Sequence, residues 1–328
     1  MARPTDTQSD HRPMASLSLD LDNLWTYLKI HGDEWESRPS YLDTFTPYML
    51  EALDQLGVSI TFFIVGADAD RDENAQALRS IVDAGHEIGN HSYEHEPWLQ
   101  LYSDEQLEEE IDRAHDAIKK ATGVAPVGFR GPGFSWSPNL LRILADRNYQ
   151  FDASTLPTFL GPLARMYYFW SSDLDAEEKE KRKELFGKFR DGFRSIKPYF
   201  WRVDNGKRLL EIPVTTMPVF KTPFHLSYLA YLARFSRGLM KAYLRTAMFA
   251  CKLTNTEPSF LLHPLDVIGG DQVPELEFFP GMDIPSDEKK ELFFEVLNTI
   301  AESFEIVPMG IHAQRILERS RLVEKVAA

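Results

Sequence analysis

The feature that most constrains this chain is a rhythm: short apolar runs alternate with longer amphipathic segments along most of its 328 residues. The runs predict strands near 16–22, 58–65, 86–91, 126–130, 149–153, 209–214, 259–264 and 304–308, and the amphipathic segments predict helices near 40–56, 73–84, 103–121, 137–146 and 286–303. This alternation implies a parallel sheet, because each helix carries the chain back to the end from which the next strand starts. Seven or eight such units exceed a small open sheet. The expected class is therefore α/β, a distorted or incomplete (β/α)7-8 barrel over 14–318 behind a flexible N-terminal segment, 1–13. The rhythm breaks between about 155 and 258, where 173–194 predicts a solvated, salt-bridged helix and 222–253 one or two hydrophobic helices. That stretch is a mostly helical insertion on the barrel rather than a separate domain, since the strand expected at 209–214 lies within it and more strands follow.

Charge and cysteine content narrow the partners. The 36 Lys+Arg against 50 Asp+Glu leave a net charge of −14, which repels phosphate backbones and argues against a nucleic-acid partner, while a neutral sugar is unaffected. Cys251, the single cysteine, cannot form an internal disulfide, and the polar start MARPTDTQSDHRPM lacks the apolar run of a secretory signal. No stretch of 18 uninterrupted apolar residues occurs, so the cytoplasm is the expected compartment.

Five short segments carry the chemistry. In ASLSLDLDN, Leu17, Leu19 and Leu21 alternate with Ser16, Ser18, Asp20 and Asp22, so a strand sends the leucines to one face and both carboxylates to the other. In GHEIGNHSYEHEPW, His91 and His95 stand four apart just past a strand, a spacing that stacks both imidazoles on one face if a helical turn follows. Two imidazoles and one carboxylate, from Asp20 or Asp22, make a three-ligand set that leaves positions open for water and substrate. In GFRGPGFSW, a rigid Gly-Pro-Gly turn follows Arg130, whose guanidinium would orient Asp20 and balance its charge. YQFDASTLP offers Asp152, and SFLLHPLD offers His263 at a strand end. Each segment alone is as well explained by a cap, a surface turn or a satisfied core residue.

In order and content, D-x-D, H-S-x-x-H, R-x-P-G, D-x-S-x-x-P and L-x-H-P together resemble the polysaccharide deacetylase family, also called carbohydrate esterase family four or the NodB-homology domain. The likeness spans about 14–154 and 258–312. It implies a distorted (β/α) barrel and divalent-metal hydrolysis of an N-acyl, most simply N-acetyl, amino sugar of a glycan or lipid-linked precursor. Carried across by position, Asp20 is the general base, Asp22, His91 and His95 hold the metal, with Zn²⁺ expected, Arg130 tethers Asp20, His263 is the general acid and Asp152 tunes His263. The family commonly has two adjacent aspartates, whereas Leu21 separates them here, as in the branch that includes formamido-arabinose lipid deformylases. An amidase of the same fold acting on a linear or cyclic non-sugar amide is the alternative, and a non-catalytic carbohydrate-binding relic is a third.

Substrate choice is expected in the insertion. From 212 to 256 there is no acidic residue, while Lys221, Arg234, Arg237, Lys241, Arg245 and Lys252 are interspersed with Leu, Tyr, Phe and Met. Such a segment suits an anionic membrane at the inner face, or the phosphate and tail of a lipid-linked sugar. A lid over the barrel or a homo-oligomer contact explains it equally well.

Overall fold

The computed structural model describes residues 12–32, 35–160, 189–204, 206–319 and 322–327. Residues 1–11 of the expected N-terminal segment and most of the helix expected at 173–194 lie outside the described residues.

Ten strands form one sheet among the described residues: β1 Met14–Leu21, β2 Thr61–Ile64, β3 Glu87–Asn90, β4 Gly128–Phe129, β5 Phe151–Asp152, β6 Tyr199–Arg202, β7 Arg208–Glu211, β8 Ser259–Leu262, β9 Glu305–Val307 and β10 Glu324–Val326. The order is β10-β6-β7-β5-β4-β3-β2-β1-β8, with β9 on β1. All ladders are parallel except β6 with β7. The sheet curls on itself. Just past β7, Val214 donates its backbone N–H to Thr155 (2.9 Å) and Thr215 donates to Ser259 of β8 (3.0 Å), so the chain beyond the β5 edge reaches the β8 edge. This is the distorted, incompletely hydrogen-bonded (β/α) barrel that the alternating pattern predicts. The antiparallel β6 and the late β10, which lies beyond 318, extend the sheet outside the barrel path.

Among the described residues the α-helices are α1 Leu24–His31, α2 Leu42–Leu56, α3 Gly66–Ala69, α4 Ala75–Asp83, α5 Asp104–Thr122, α6 Pro138–Asp146, α7 Leu226–Phe235, α8 Arg237–Leu253, α9 Ser286–Ala301 and α10 Met309–Arg319. Helix α5 shows how local sequence sets the ends: Ser103 and Gln106 form a reciprocal capping box, and Gly123 closes the helix at φ 80°. Leu17, Leu19 and Leu21 of β1 join Phe62, Phe45, Leu53, Phe293 and Leu297 in the main apolar core. Each such side chain contributes about 1.5–3 kcal/mol when fully buried. Strand β1 is buried along its whole length, so its polar face must find partners inside the protein. On that polar side, Phe63, Phe151 and Leu210 pack with Met309 and Ala313 of α10. Gly128 is needed there, since a Cβ would lie 2.1 Å from the Phe151 ring.

The insertion carries its own correction. Its cations do not form a uniform basic patch: Arg234 pairs with Asp283 (2.7 Å), Arg237 with Glu291 (3.3 Å) and Lys241 with Glu295 (3.0 Å). Acids supplied by the next part of the chain, on and just before α9, balance the acid-free segment. Arg245 and Lys252 are exposed and have no ion pair among the described residues. Beside them, Leu239, Phe249 and Leu253 recur at helical spacing on the outside of α8, the last two 66% and 73% exposed. No described helix is long and apolar enough to cross a membrane.

Candidate metal and acid–base site

Five of the predicted side chains come from the C-terminal ends of parallel strands, where a (β/α) barrel gathers its functional groups. Asp20 lies near the end of β1 and Asp22 just past it; His91 follows β3, Arg130 follows β4 and His263 follows β8. A period of two leaves Ser18, Asp20 and Asp22 on one side of β1.

Arg130 is fully buried and organises this side. Its Nη1 donates to Asp20 Oδ1 (2.6 Å) and Ser18 Oγ (2.9 Å), its Nε donates to the Ala153 carbonyl (3.1 Å), and its guanidinium lies 4.4 Å from the centre of the Phe63 ring. With both charges out of water, removing one partner would cost about 3–5 kcal/mol. The backbone carbonyl of Arg130 lies 2.7 Å from His91 Nδ1. A carbonyl can only accept, so Nδ1 carries a proton, and Nε2 is the nitrogen that faces Asp22.

Asp22, His91 and His95 converge, each offering a ligand atom within 4.8 Å of the others. Asp22 Oδ1 lies 3.4 Å from His91 Nε2 and 3.0 Å from His95 Nε2. That oxygen is buried without a well-formed hydrogen bond, which suits a cation rather than a proton donor. Burial opposes ionisation of Asp22, but His95 and His91 outweigh it and hold the carboxyl well below its ordinary range. No helical turn follows His91, contrary to the expectation from the spacing. Residues 91–96 form a loop with Ser92 at φ 63° and His95 at φ 53°. Two left-handed residues swing the second imidazole back onto the first, at a ring separation of 5.0 Å. Glu110 Oε1 anchors this loop by accepting the N–H groups of Tyr93 (3.0 Å) and Glu94 (2.7 Å).

His263 is the most open of these groups, its side chain 28% exposed. Its partner is Asp266, not Asp152. Asp266 Oδ2 accepts the His263 backbone N–H (2.8 Å) and lies 3.7 Å from Nδ1, while Ser227 Oγ donates to Asp266 Oδ1 (2.6 Å). Burial alone would lower the His263 pKa; Asp266 first, then Asp20 and Asp22, raise it to about 9. Asp152 is engaged elsewhere: it accepts from Ser154 Oγ (2.6 Å) and meets Glu211, a second buried acid that accepts from Trp201 Nε1 (2.9 Å). Burial raises both carboxyls; the Asp152 charge raises Glu211 further, whereas hydrogen bonds from Glu211 and Ser154 lower Asp152, so the pair shares a proton that sits on Glu211. Sequence reasoning missed Asp266, Ser227, Glu110 and Glu211. Only Asp266 left a trace, as the third residue after His263 in HPLD.

Residues 33–151 match the family model described as Polysaccharide deacetylase, a span that includes His91, His95 and Arg130. A peptidoglycan-N-acetylglucosamine deacetylase of Bacillus cereus is 31% identical over 105 residues, covering 32% of this chain and 37% of that protein. A chitooligosaccharide deacetylase of Sinorhizobium fredii is 35% identical over 103 residues, 31% of this chain and 46% of that protein. The chain thus spans less than half the length of either curated relative. A crystallised Mycobacterium smegmatis protein grouped with the polysaccharide deacetylases is similar in fold across 99% of this chain and 95% of its own, with a TM-score of 0.59 at 20% identity.

Proposed function

We propose that this chain, which matches the polysaccharide deacetylase family model over residues 33–151, is a metal-dependent hydrolase that removes an N-acyl group, N-acetyl in the simplest case, from an amino sugar. The observation that carries this reading is the convergence of Asp22, His91 and His95 beside two groups suited to proton transfer, Asp20 and His263.

A divalent cation held by Asp22, His91 and His95, with Zn²⁺ suited to the two-nitrogen, one-oxygen set, would polarise the acyl carbonyl and acidify a water molecule. Asp20, fixed by Arg130 at 2.6 Å, takes the proton of the attacking water. His263, still protonated at neutral pH because its pKa is raised to about 9, gives its proton to the departing amine. Each transfer is worth roughly 10²–10⁴ in rate. The products are a carboxylic acid and a free amino sugar.

A lipid-linked saccharide is the substrate favoured by the exposed Leu239–Phe249–Leu253 stripe with Arg245 and Lys252, which have no ion pair among the described residues; together they suit an anionic lipid surface at the inner face of a membrane. The deciding assay measures acid release from N-acetylated and N-formylated amino sugars, free and lipid-linked, with and without chelator and added Zn²⁺. Chelator-sensitive acid release supports the reading. Hydrolysis confined to linear or cyclic non-sugar amides would replace it with the amidase alternative.

A further inference from the structure

His225 precedes α7 in the insertion and is not accounted for by the reaction above. It is buried, 6% exposed, and its Nδ1 has no hydrogen-bond partner among the described residues. Its ring lies 6.5 Å from the His263 ring, centre to centre, and stands edge-on to Tyr228 at 4.7 Å. The charges acting on it are those of His263, Asp266, Asp20 and Arg130, so it faces the acid–base side of the site. Burial and His263 hold its pKa down at about 4. At neutral pH, two imidazoles therefore stand side by side in opposite states. His263 is a cation with two N–H groups; His225 is neutral, with one N–H and one lone pair.

A buried ring nitrogen without a partner destabilises the fold, and an apolar side chain of similar shape would remove that cost. A ligand that brings its own polar group removes it too. Ser227, two residues on, donates to Asp266 at 2.6 Å, so one turn of the insertion both secures the partner of His263 and presents His225.

We propose that His225 is a substrate-binding residue whose ring takes a hydroxyl group of the sugar on the side of the leaving nitrogen. A neutral imidazole suits a hydroxyl, since each partner can donate and accept. The proposal rests on the deacetylase reading and adds a specificity contact from the insertion. The test compares the parent, His225→Phe and His225→Gln on an N-acetyl amino sugar and on its monodeoxy analogues. His225→Phe should lower kcat/KM about tenfold on the full sugar, mainly through KM, with Gln recovering part of the loss. One deoxy analogue should reproduce the loss in the parent and suffer no further loss in the Phe variant. Bound metal and the alkaline limb of the pH profile should match the parent. A uniform loss on every analogue would make His225 a structural residue, and unchanged KM would show that it touches nothing. If the parent itself releases no acid from any N-acyl sugar, the functional reading and the contact fall together. If the parent is active and only the analogue pattern fails, the contact alone falls.

Discussion

Replacing Asp266 by Asn isolates the partner that sequence reasoning assigned to Asp152. Asn has the same shape but one acceptor oxygen, so it can keep the His263 backbone N–H that Oδ2 accepts while its NH2 donates to the Ser227 hydroxyl, which in the parent donates to Oδ1; its charge is gone. The His263 pKa stands at about 9 against an ordinary 6.5, a difference worth about 3.4 kcal/mol at 1.36 kcal/mol per unit. A carboxylate 3.7 Å from Nδ1 supplies about 4.5 kcal/mol at an effective dielectric of ~20. Asp266 is thus the largest of the raising influences and comparable to the net rise, with Asp20 and Asp22 helping it to overcome burial. Because the pKa is raised, the protonated acid persists up to about 9, and activity should be lost as pH climbs through that value. In Asp266→Asn the alkaline limb should move down by roughly two units, so that the rate at pH 8 falls about tenfold while the rate at pH 6 changes little. A bound dication would lower His263 in both proteins, so the observable is the shift between them. The same sign applies to stability: the ion pair contributes fully below about 6.5 and its contribution fades as pH rises through about 9. The assay is kcat/KM against pH for the parent, Asp266→Asn and Asp152→Asn. Superimposable limbs for the parent and Asp266→Asn, or a downward shift in Asp152→Asn alone, would refute the assignment.

His91→Ala or His95→Ala should each remove the bound divalent ion along with activity, as read by metal analysis of the purified protein; full turnover after exhaustive chelation would sink the three-ligand reading. Asp20→Asn should keep the ion and lose about 10²–10⁴ in rate, whereas Asp22→Ala should lose the ion, and equal metal loss in both would show the two roles to be misassigned. Arg130→Met leaves Asp20 buried without its counter-charge and should lower unfolding stability by about 3–5 kcal/mol in a denaturant titration, with a change under 1 kcal/mol counting against the buried pair. Replacing Arg245 and Lys252 by Gln should weaken sedimentation with anionic vesicles by about 1 kcal/mol per cation, and high salt should mimic this in the parent; no vesicle binding at low salt would leave the α8 stripe as a protein contact.

The amino-acid sequence by itself determined what depends on near neighbours. The two-residue period of β1 decided that Asp20 and Asp22 share a side, and the alternation of runs decided the parallel barrel, because both follow from how side chains project along a single element. The same reasoning placed His91, Arg130 and His263 at strand ends, since each follows a short apolar run. It failed where partners are chosen across the sheet. Which acid meets His263 depends on how the 263–266 turn folds back on itself; Asp266 wins over Asp152, which lies on β5 and meets Glu211 of the adjacent β7. The turn that joins His91 to His95 is a loop with two left-handed residues, stabilised by Glu110 from α5 rather than by a helical period. Arg130 reaches Asp20 across 110 residues of chain because β1 to β4 are consecutive neighbours in a curved sheet. The cations of 212–256 looked free in sequence because their partners, Asp283, Glu291 and Glu295, lie beyond the next strand. A charge pair between distant segments leaves no periodic mark on either one, so only the packed tertiary structure could decide which cations of the insertion are paired and that His225 lies beside His263.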